Sequence, residues 1–284
     1  MMKKMQIVFL VFIFLFIFPV LIRADKNTAS RHIYGGMPSC DNLLERQGYV
    51  LCFNEARRVP SWVAFRVEPD FRNTPQRKGR FKSFRDDPDL ATEARDADYD
   101  GLLRTRGYAR GHLAPYGVMG GDRDKDGAYA ANDPDDARTV YEGNYMSNIA
   151  PQFQDGFNGA NGLWYDLERW IQDDLIHCHD TIWVFAGCVF DTKELERVGP
   201  AHDIHVPPAF FQMVVIEDAA RMPHVLAFML PHQKVRSGNI EDYLTSVDDV
   251  ERATGLDFFP EAALDESTTT KTHWESFRCD DGRR

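Results

Sequence analysis

The segment Tyr108-Ala109-Arg110-Gly111-His112-Leu113-Ala114-Pro115 places a guanidinium two residues before an imidazole. The stretch Asn144-Tyr145-Met146-Ser147-Asn148-Ile149-Ala150-Pro151-Gln152 follows, and after it come Phe157-Asn158, Trp164 and Leu167-Glu168. Together these blocks hold a base, a cation, several carboxamides and a carboxylate. That set suits hydrolysis of a phosphodiester. A neutral imidazole, with an ordinary pKa of about 6.5, can take a proton from water. A guanidinium can share the charge of the transition state, and oxygen donors can hold a hard divalent ion. Gly111 has no Cβ, so a phosphate could come close to both Arg110 and His112. The other eight histidines, His177, His179 and His232 among them, have no comparable neighbours.

In order and wording the three blocks resemble the DNA/RNA non-specific endonucleases, the ββα-metal (His-Me finger) nucleases that include the endonuclease G type. The resemblance runs roughly over residues 48–261 and takes in Trp62-Val63-Ala64-Phe65 and Thr254-Gly255-Leu256-Asp257-Phe258-Phe259-Pro260. It implies an α+β fold, a central antiparallel sheet flanked by helices, with the active site on a β-hairpin followed by a helix. It also implies roles. His112 is the general base, Arg110 contacts the phosphate, and Asn148 hydrogen-bonds around the site. Asn158 is the single direct protein ligand of Mg²⁺ or Mn²⁺, with Glu168 holding water of that ion's shell. DNA is the expected substrate, with RNA as a second one, and no base-reading motif is visible.

Three departures from the family pattern stand out. Ala109 occupies a place where Asp is common, which removes an acceptor and a negative charge near the ion. The interval from Asn158 to Trp164 is two residues longer than usual, which makes Asn161 a rival ligand: it lies seven residues before Glu168, on one helical face. The second arginine expected after the glutamate has no clean counterpart, with Gln172 four residues on and Arg169 displaced. Ala109, the lengthened Asn158 region and the strong acidity of the chain favour an alternative, a catalytically weakened secreted binding protein on the nuclease fold, stabilised by calcium. The joint retention of His112, Asn148, Asn158 and Glu168 favours the enzyme.

Net charge argues for a local rather than a global attraction to nucleic acid. The 284 residues carry a formal charge of −11, and loss of Lys3, Lys4 and Arg23 with residues 1–24 makes it −14. Phosphate binding draws on Lys and Arg. The run Arg77-Lys78-Gly79-Arg80-Phe81-Lys82-Ser83-Phe84-Arg85 supplies five cations and no acid. Arg80, Lys82 and Arg85 are the expected substrate-facing members. Between the first two blocks, Asp122, Asp124, Asp126 and Asp133 stand at positions one, three, five and twelve of a loop with Gly127 at six. That is the spacing of an EF-hand-type Ca²⁺ loop, and the other reading is an acidic surface loop.

Residues 1–24 have a short basic start, an apolar core and a small residue at the cut, the pattern of a signal peptide. The mature protein is then expected to be secreted or periplasmic, with no membrane attachment. Residues 25–262 form the catalytic domain, and 263–284 read as a polar, loosely held tail. Of five cysteines, Cys40 and Cys52 are the preferred disulfide. Cys178 with Cys279 is a second pairing, leaving Cys188 as a buried thiol. Periodicity predicts strands over 60–67, 181–189, 210–217 and 225–230, and helices over 163–178 and 247–254, the last stopped by Gly255.

Overall fold

A computed structural model describes residues 28–267 except 92–93, 192–194 and 202, together with Trp274, Phe277 and Cys279. The expected signal peptide lies outside the described residues. In chain order the elements open with helix α1 (Thr28–His32) and strands β1 (Leu43–Glu45), β2 (Val50–Asn54) and β3 (Val59–Val67). Helix α2 (Leu102–Arg106), β4 (Tyr108–His112), helix α3 (Pro134–Gly143), β5 (Ile149–Phe153) and helix α4 (Leu163–Arg169) come next. The chain continues through β6 (Ile182–Val189), the short pair β7 (Arg197–Val198) and β8 (Ile204–His205), then β9 (Ala209–Glu217), β10 (Pro223–Pro231), β11 (Leu244–Thr245) and α5 (Val247–Thr254).

Seven strands form one sheet in the order β1-β2-β3-β6-β9-β10-β11, every neighbouring pair antiparallel. The central strands read as near-continuous apolar runs because both faces are covered. Side chains alternate across a strand, so Val63 and Phe65 enter one core while Trp62 and Ala64 enter the other. Pro60, which has no N–H to give a ladder, sits where the β2–β3 register shifts. Helix α5 begins on Ser246, whose hydroxyl accepts from the Asp249 N–H, and ends on Gly255 with φ 74°.

The first of these cores carries the functional layer. The β4–β5 hairpin, with Arg110 opposite Pro151 and His112 opposite Ile149, lies outside the main sheet and buries Tyr108, Ile149 and Ala150 there. Helix α4 packs Leu163, Trp164 and Leu167 into the same core, with Trp164 5.6 Å from the Phe210 ring. The helix expected over 163–178 does run to His177, but it loosens into a π turn after Arg169 and tightens at its end. Disulfides join Cys40 to Cys52 and Cys178 to Cys279, and Cys188 is a buried thiol.

The C-terminal tail corrects the sequence reading. Its polar composition hides two aromatics: Trp274 and Phe277 are buried, with the Trp274 ring 4.6 Å from Trp170. Those contacts and the Cys178–Cys279 bond fasten this segment to the end of the α4 helical run.

His232 holds the hairpin from behind. Its Nδ1 donates to the Pro207 carbonyl at 2.8 Å, and its Nε2 accepts the Phe153 N–H at 2.7 Å. A ring with one nitrogen already accepting cannot be protonated without losing that bond. Burial accordingly pushes its pKa down to about 4. Between that value and about 6.5 the unfolded chain binds a proton that the folded chain does not, so stability is lost as pH falls. Replacing His232 with Gln removes the titrating group and keeps an amide. The slope of stability against pH between 6.5 and 4 should therefore flatten by about 1.4 kcal/mol per pH unit. Denaturant melts across that range measure it, and an unchanged slope would contradict the assignment.

Candidate active site

Strand β4 sets Arg110 and His112 on one face, because residues two apart point the same way. Gly111 points to the opposite face, where a Cβ would fall 2.1 Å from the Gln152 side chain. The glycine is therefore required by close packing inside the hairpin. Asn148 precedes β5 and is fully buried. Its Oδ1 accepts the Ala114 N–H at 2.8 Å, and its Nδ2 donates to the carbonyls of Ala114 at 2.9 Å and Gly143 at 3.0 Å. The side chain clamps the backbone that leaves His112 and has little capacity left for substrate.

The imidazole of His112 is 8% exposed, and its Nε2 lies 3.2 Å from the Asn144 Oδ1. The Asn144 amide cannot be turned over. Its Nδ2 donates to the Phe81 carbonyl, and its Oδ1 receives the Arg77 guanidinium, each at 3.3 Å. A flip would set two donors and two acceptors against each other. The proton of the neutral ring is therefore on Nε2, and Nδ1 keeps its lone pair. No hydrogen bond from the described residues occupies Nδ1, and it is not sealed from solvent. Burial pushes the His112 pKa down to about 3, Arg77 lowers it further, and Asn144 opposes the shift. The ring is thus a neutral base across the ordinary pH range.

Arg77 is the cation that reaches this histidine. Its guanidinium lies 4.8 Å from the Phe84 ring and 4.9 Å from the Tyr116 ring, and both rings flank His112. The basic run is delivered here by pairing with the second block. Arg85 N–H donates to the Asn144 carbonyl at 3.0 Å and Met146 N–H to the Arg85 carbonyl at 2.8 Å. The expected members of the run sit further out. Arg80 donates to the Ala131 carbonyl at 2.7 Å, Arg85 donates to the carbonyls of Ser83 and Arg80 and lies over Tyr141, and Lys82 is exposed. Arg110 is paired within the protein, its Nε 2.6 Å from Asp96 and its Nη2 3.2 Å from Asp100.

On the helical side, Asn158 closes a kinked segment, Gln154–Asn158, that packs against β4 and β5. It is half-buried, and its side chain has no hydrogen bond among the described residues. Asn161 is exposed with φ 66°, and α4 starts only at Leu163, so the shared helical face with Glu168 does not form. Glu168 accepts the Trp164 Nε1–H at 2.9 Å. Burial pushes its carboxyl up to about 8 against that hydrogen bond, so the charged form is disfavoured without a further partner. A cleft of about 530 Å³ is lined by Arg72, Arg77, Tyr116, Arg169, Gln172 and Asp173, and reaches His112 through Arg77 and Tyr116; Arg169 is paired with Asp173. Gly117 lets the helical run approach, since a Cβ there would meet the Gln172 Oε1 at 2.3 Å. Asn144, Arg77 and Arg72 carry this geometry without having been singled out by type. The first opens the second block, and Arg77 opens the basic run.

The DNA/RNA non-specific endonuclease family matches residues 28–265 of this sequence. The chain belongs to that family. It is similar to Nuclease C1 of Cunninghamella echinulata var. echinulata, 30% identical over 255 residues, covering 86% of this chain and 92% of the relative. It is also similar to human mitochondrial endonuclease G, 28% identical, covering 79% of this chain and 72% of that one. Among solved structures it resembles one from a complex of EndoG with EndoGI, with a TM-score of 0.65 and 26% identity over 80% of this chain and 89% of that chain. The α+β reading and the ββα-metal arrangement of hairpin and helix hold, and the chain is an enzyme of the nuclease class.

The Asn144 contact can be tested apart from the fold. Asn144→Ala leaves the Nε2 side of His112 without its acceptor, so the ring loses its fixed tautomer. Turnover should fall by roughly 10- to 100-fold, the usual cost of removing a partner that orients a reacting group, with KM little changed. A variant with unaltered turnover would contradict the assignment.

Proposed function

We propose that this protein is a secreted, Mg²⁺- or Mn²⁺-dependent endonuclease that hydrolyses DNA and RNA with little sequence preference, using His112 as general base. The observation that carries this reading is the imidazole held as its Nε2–H form by Asn144, with an open Nδ1 and Arg77 beside it. Nδ1 accepts a proton from a water that attacks phosphorus in line. Burial, with Arg77 beside it, keeps the ring neutral beforehand, and Arg77 stands ready to balance charge on the phosphate. The paired Arg110 reaches a phosphate by exchanging Asp96 and Asp100 for it.

The donor set fits a hard divalent ion. Asn158 offers an uncommitted amide oxygen, and Glu168 is a carboxyl whose burial is balanced only by Trp164. When bound there, the ion supplies positive charge to the phosphate and to the departing 3′ oxygen. A 5′-phosphate product follows. The cleft with Arg72 and Arg77, and with Arg169 paired to Asp173, gives the acidic chain a local excess of positive charge for the nucleic-acid backbone. The leader pattern in residues 1–24 supports export.

The second reading, a binding protein on the same fold, draws on the closed Arg110–Asp96 pair and on Ala109. Plasmid cleavage in Mg²⁺ separates the two. His112→Ala should lose about 10²- to 10⁴-fold in rate with its melting curve retained. Wild-type protein without cleavage would establish the binding protein, and near-full activity in His112→Ala would remove the base. Asn158→Ala should raise the Mg²⁺ needed for half-maximal rate far more than Asn161→Ala. The reverse order would move the ligand to Asn161.

A further inference from the structure

The acidic loop between the first two motif blocks has a structure that cleavage chemistry does not use. Asp124, Asp126 and Asp133 each present a carboxylate oxygen within 4.8 Å of the others, and Asp122, Asp124 and Asp136 do the same. Gly127, at the sixth position, has φ 91°. The neighbouring cations face elsewhere. Arg123 donates to the Val118 carbonyl and lies 4.0 Å from the Phe71 ring, and Lys125 lies 3.8 Å from Glu68 and 3.9 Å from Asp70. Among the described residues none of these five aspartates has an ion-pair partner.

A separate observation points to a ligand. Asp133 is 9% exposed; its Oδ1 accepts the Asp135 N–H at 3.0 Å, while its Oδ2 is sealed from solvent with no hydrogen-bond partner. A carboxylate oxygen buried without a partner is costly, and one oxygen of this same carboxylate lies within 4.8 Å of those of Asp124 and Asp126. A cation among them removes the cost. Ca²⁺ accepts six to eight oxygens at about 2.3–2.6 Å in a flexible arrangement, which suits a loop of carboxylates, whereas Mg²⁺ asks for a tighter octahedron.

We propose that residues 122–133 form a Ca²⁺ site in which Asp124, Asp126 and Asp133 are ligands and Asp122 completes the charged wall. The site is separate from the ion on Asn158 and does not depend on the nuclease reading. Its effect reaches further than the loop. Asp133 caps helix α3, and the residue that ends α3 is Asn144, the partner of His112. An ion holding Asp133 fixes the start of the helix whose far end positions the base.

The test uses the mature chain carrying Asn158→Ala, so that ion binding at the active site does not contribute. At about one hundred times its dissociation constant, Ca²⁺ should raise the melting temperature by roughly 5–10 °C, and Mg²⁺ at equal concentration should do much less. Tyr129, in the loop and half-exposed, should sensitise Tb³⁺ luminescence, which Ca²⁺ displaces. Asp124→Asn with Asp126→Asn keeps acceptors for the turn and removes two charges, so both signals should vanish. A Ca²⁺-insensitive melt with no displaceable Tb³⁺ signal overturns the proposal. So does a double variant that responds like its parent.

Discussion

The active site depends on one carboxamide placed where only one orientation is allowed. Asn144 is fully buried between the Phe81 carbonyl, the Arg77 guanidinium and the His112 ring. The carbonyl and the guanidinium decide which end of the amide faces which way, and the amide then decides which ring nitrogen keeps a lone pair. Burial and Arg77 make the protonated ring unfavourable, so the imidazole proposed as the base is neutral before substrate arrives. Removing the amide would leave the buried His112 Nε2–H without its acceptor, at about 1–3 kcal/mol. That penalty makes the arrangement specific rather than adaptable.

The scaffold explains how such a contact survives on a hairpin of only two strands. Isolated hairpins are marginal in water. This one is held from behind by His232 through the Phe153 N–H, and across its base by Asn148, which fastens Ala114 to Gly143. Beneath it, Phe157, Trp164 and Phe210 join hairpin, helix and main sheet into one core. The field above it is local. The chain is acidic overall, yet one cleft holds Arg72, Arg77 and Arg169 against the single acid Asp173, and screening beyond roughly 10 Å lets that cleft act apart from the distant acids.

Much of this was legible in the residues and in their resemblance to a family. The strands β3, β6, β9 and β10 follow from apolar runs, and α5 from its cap and Gly255, because those signals are local. The hairpin and the blocks around His112 and Glu168 came through the resemblance. What escaped depends on contacts between segments far apart in sequence. Nothing near Asn144 tells which carboxamide will face the ring. That is settled when the basic run pairs with residues 144–146, and the same pairing brings Arg77 to the site in place of Arg80, Lys82 or Arg85. The packing of Gly111 escaped for a related reason: its steric partner, Gln152, lies across the hairpin. The tail was misread because composition averages over Trp274 and Phe277, whose packing depends on Trp170.

The tautomer and charge of His112 test this account most directly. Long-range ¹H–¹⁵N correlation spectra of protein labelled at histidine, recorded without substrate or divalent ions, distinguish a protonated Nε2 from a protonated Nδ1 and follow the ring through a pH titration. Comparison with His112→Gln assigns the signal. The account predicts a neutral ring with the proton on Nε2 that stays neutral from pH 7 well below 6.5, toward a pKa of about 3. A ring protonated on Nδ1, or one that charges at or above 6.5, would contradict it.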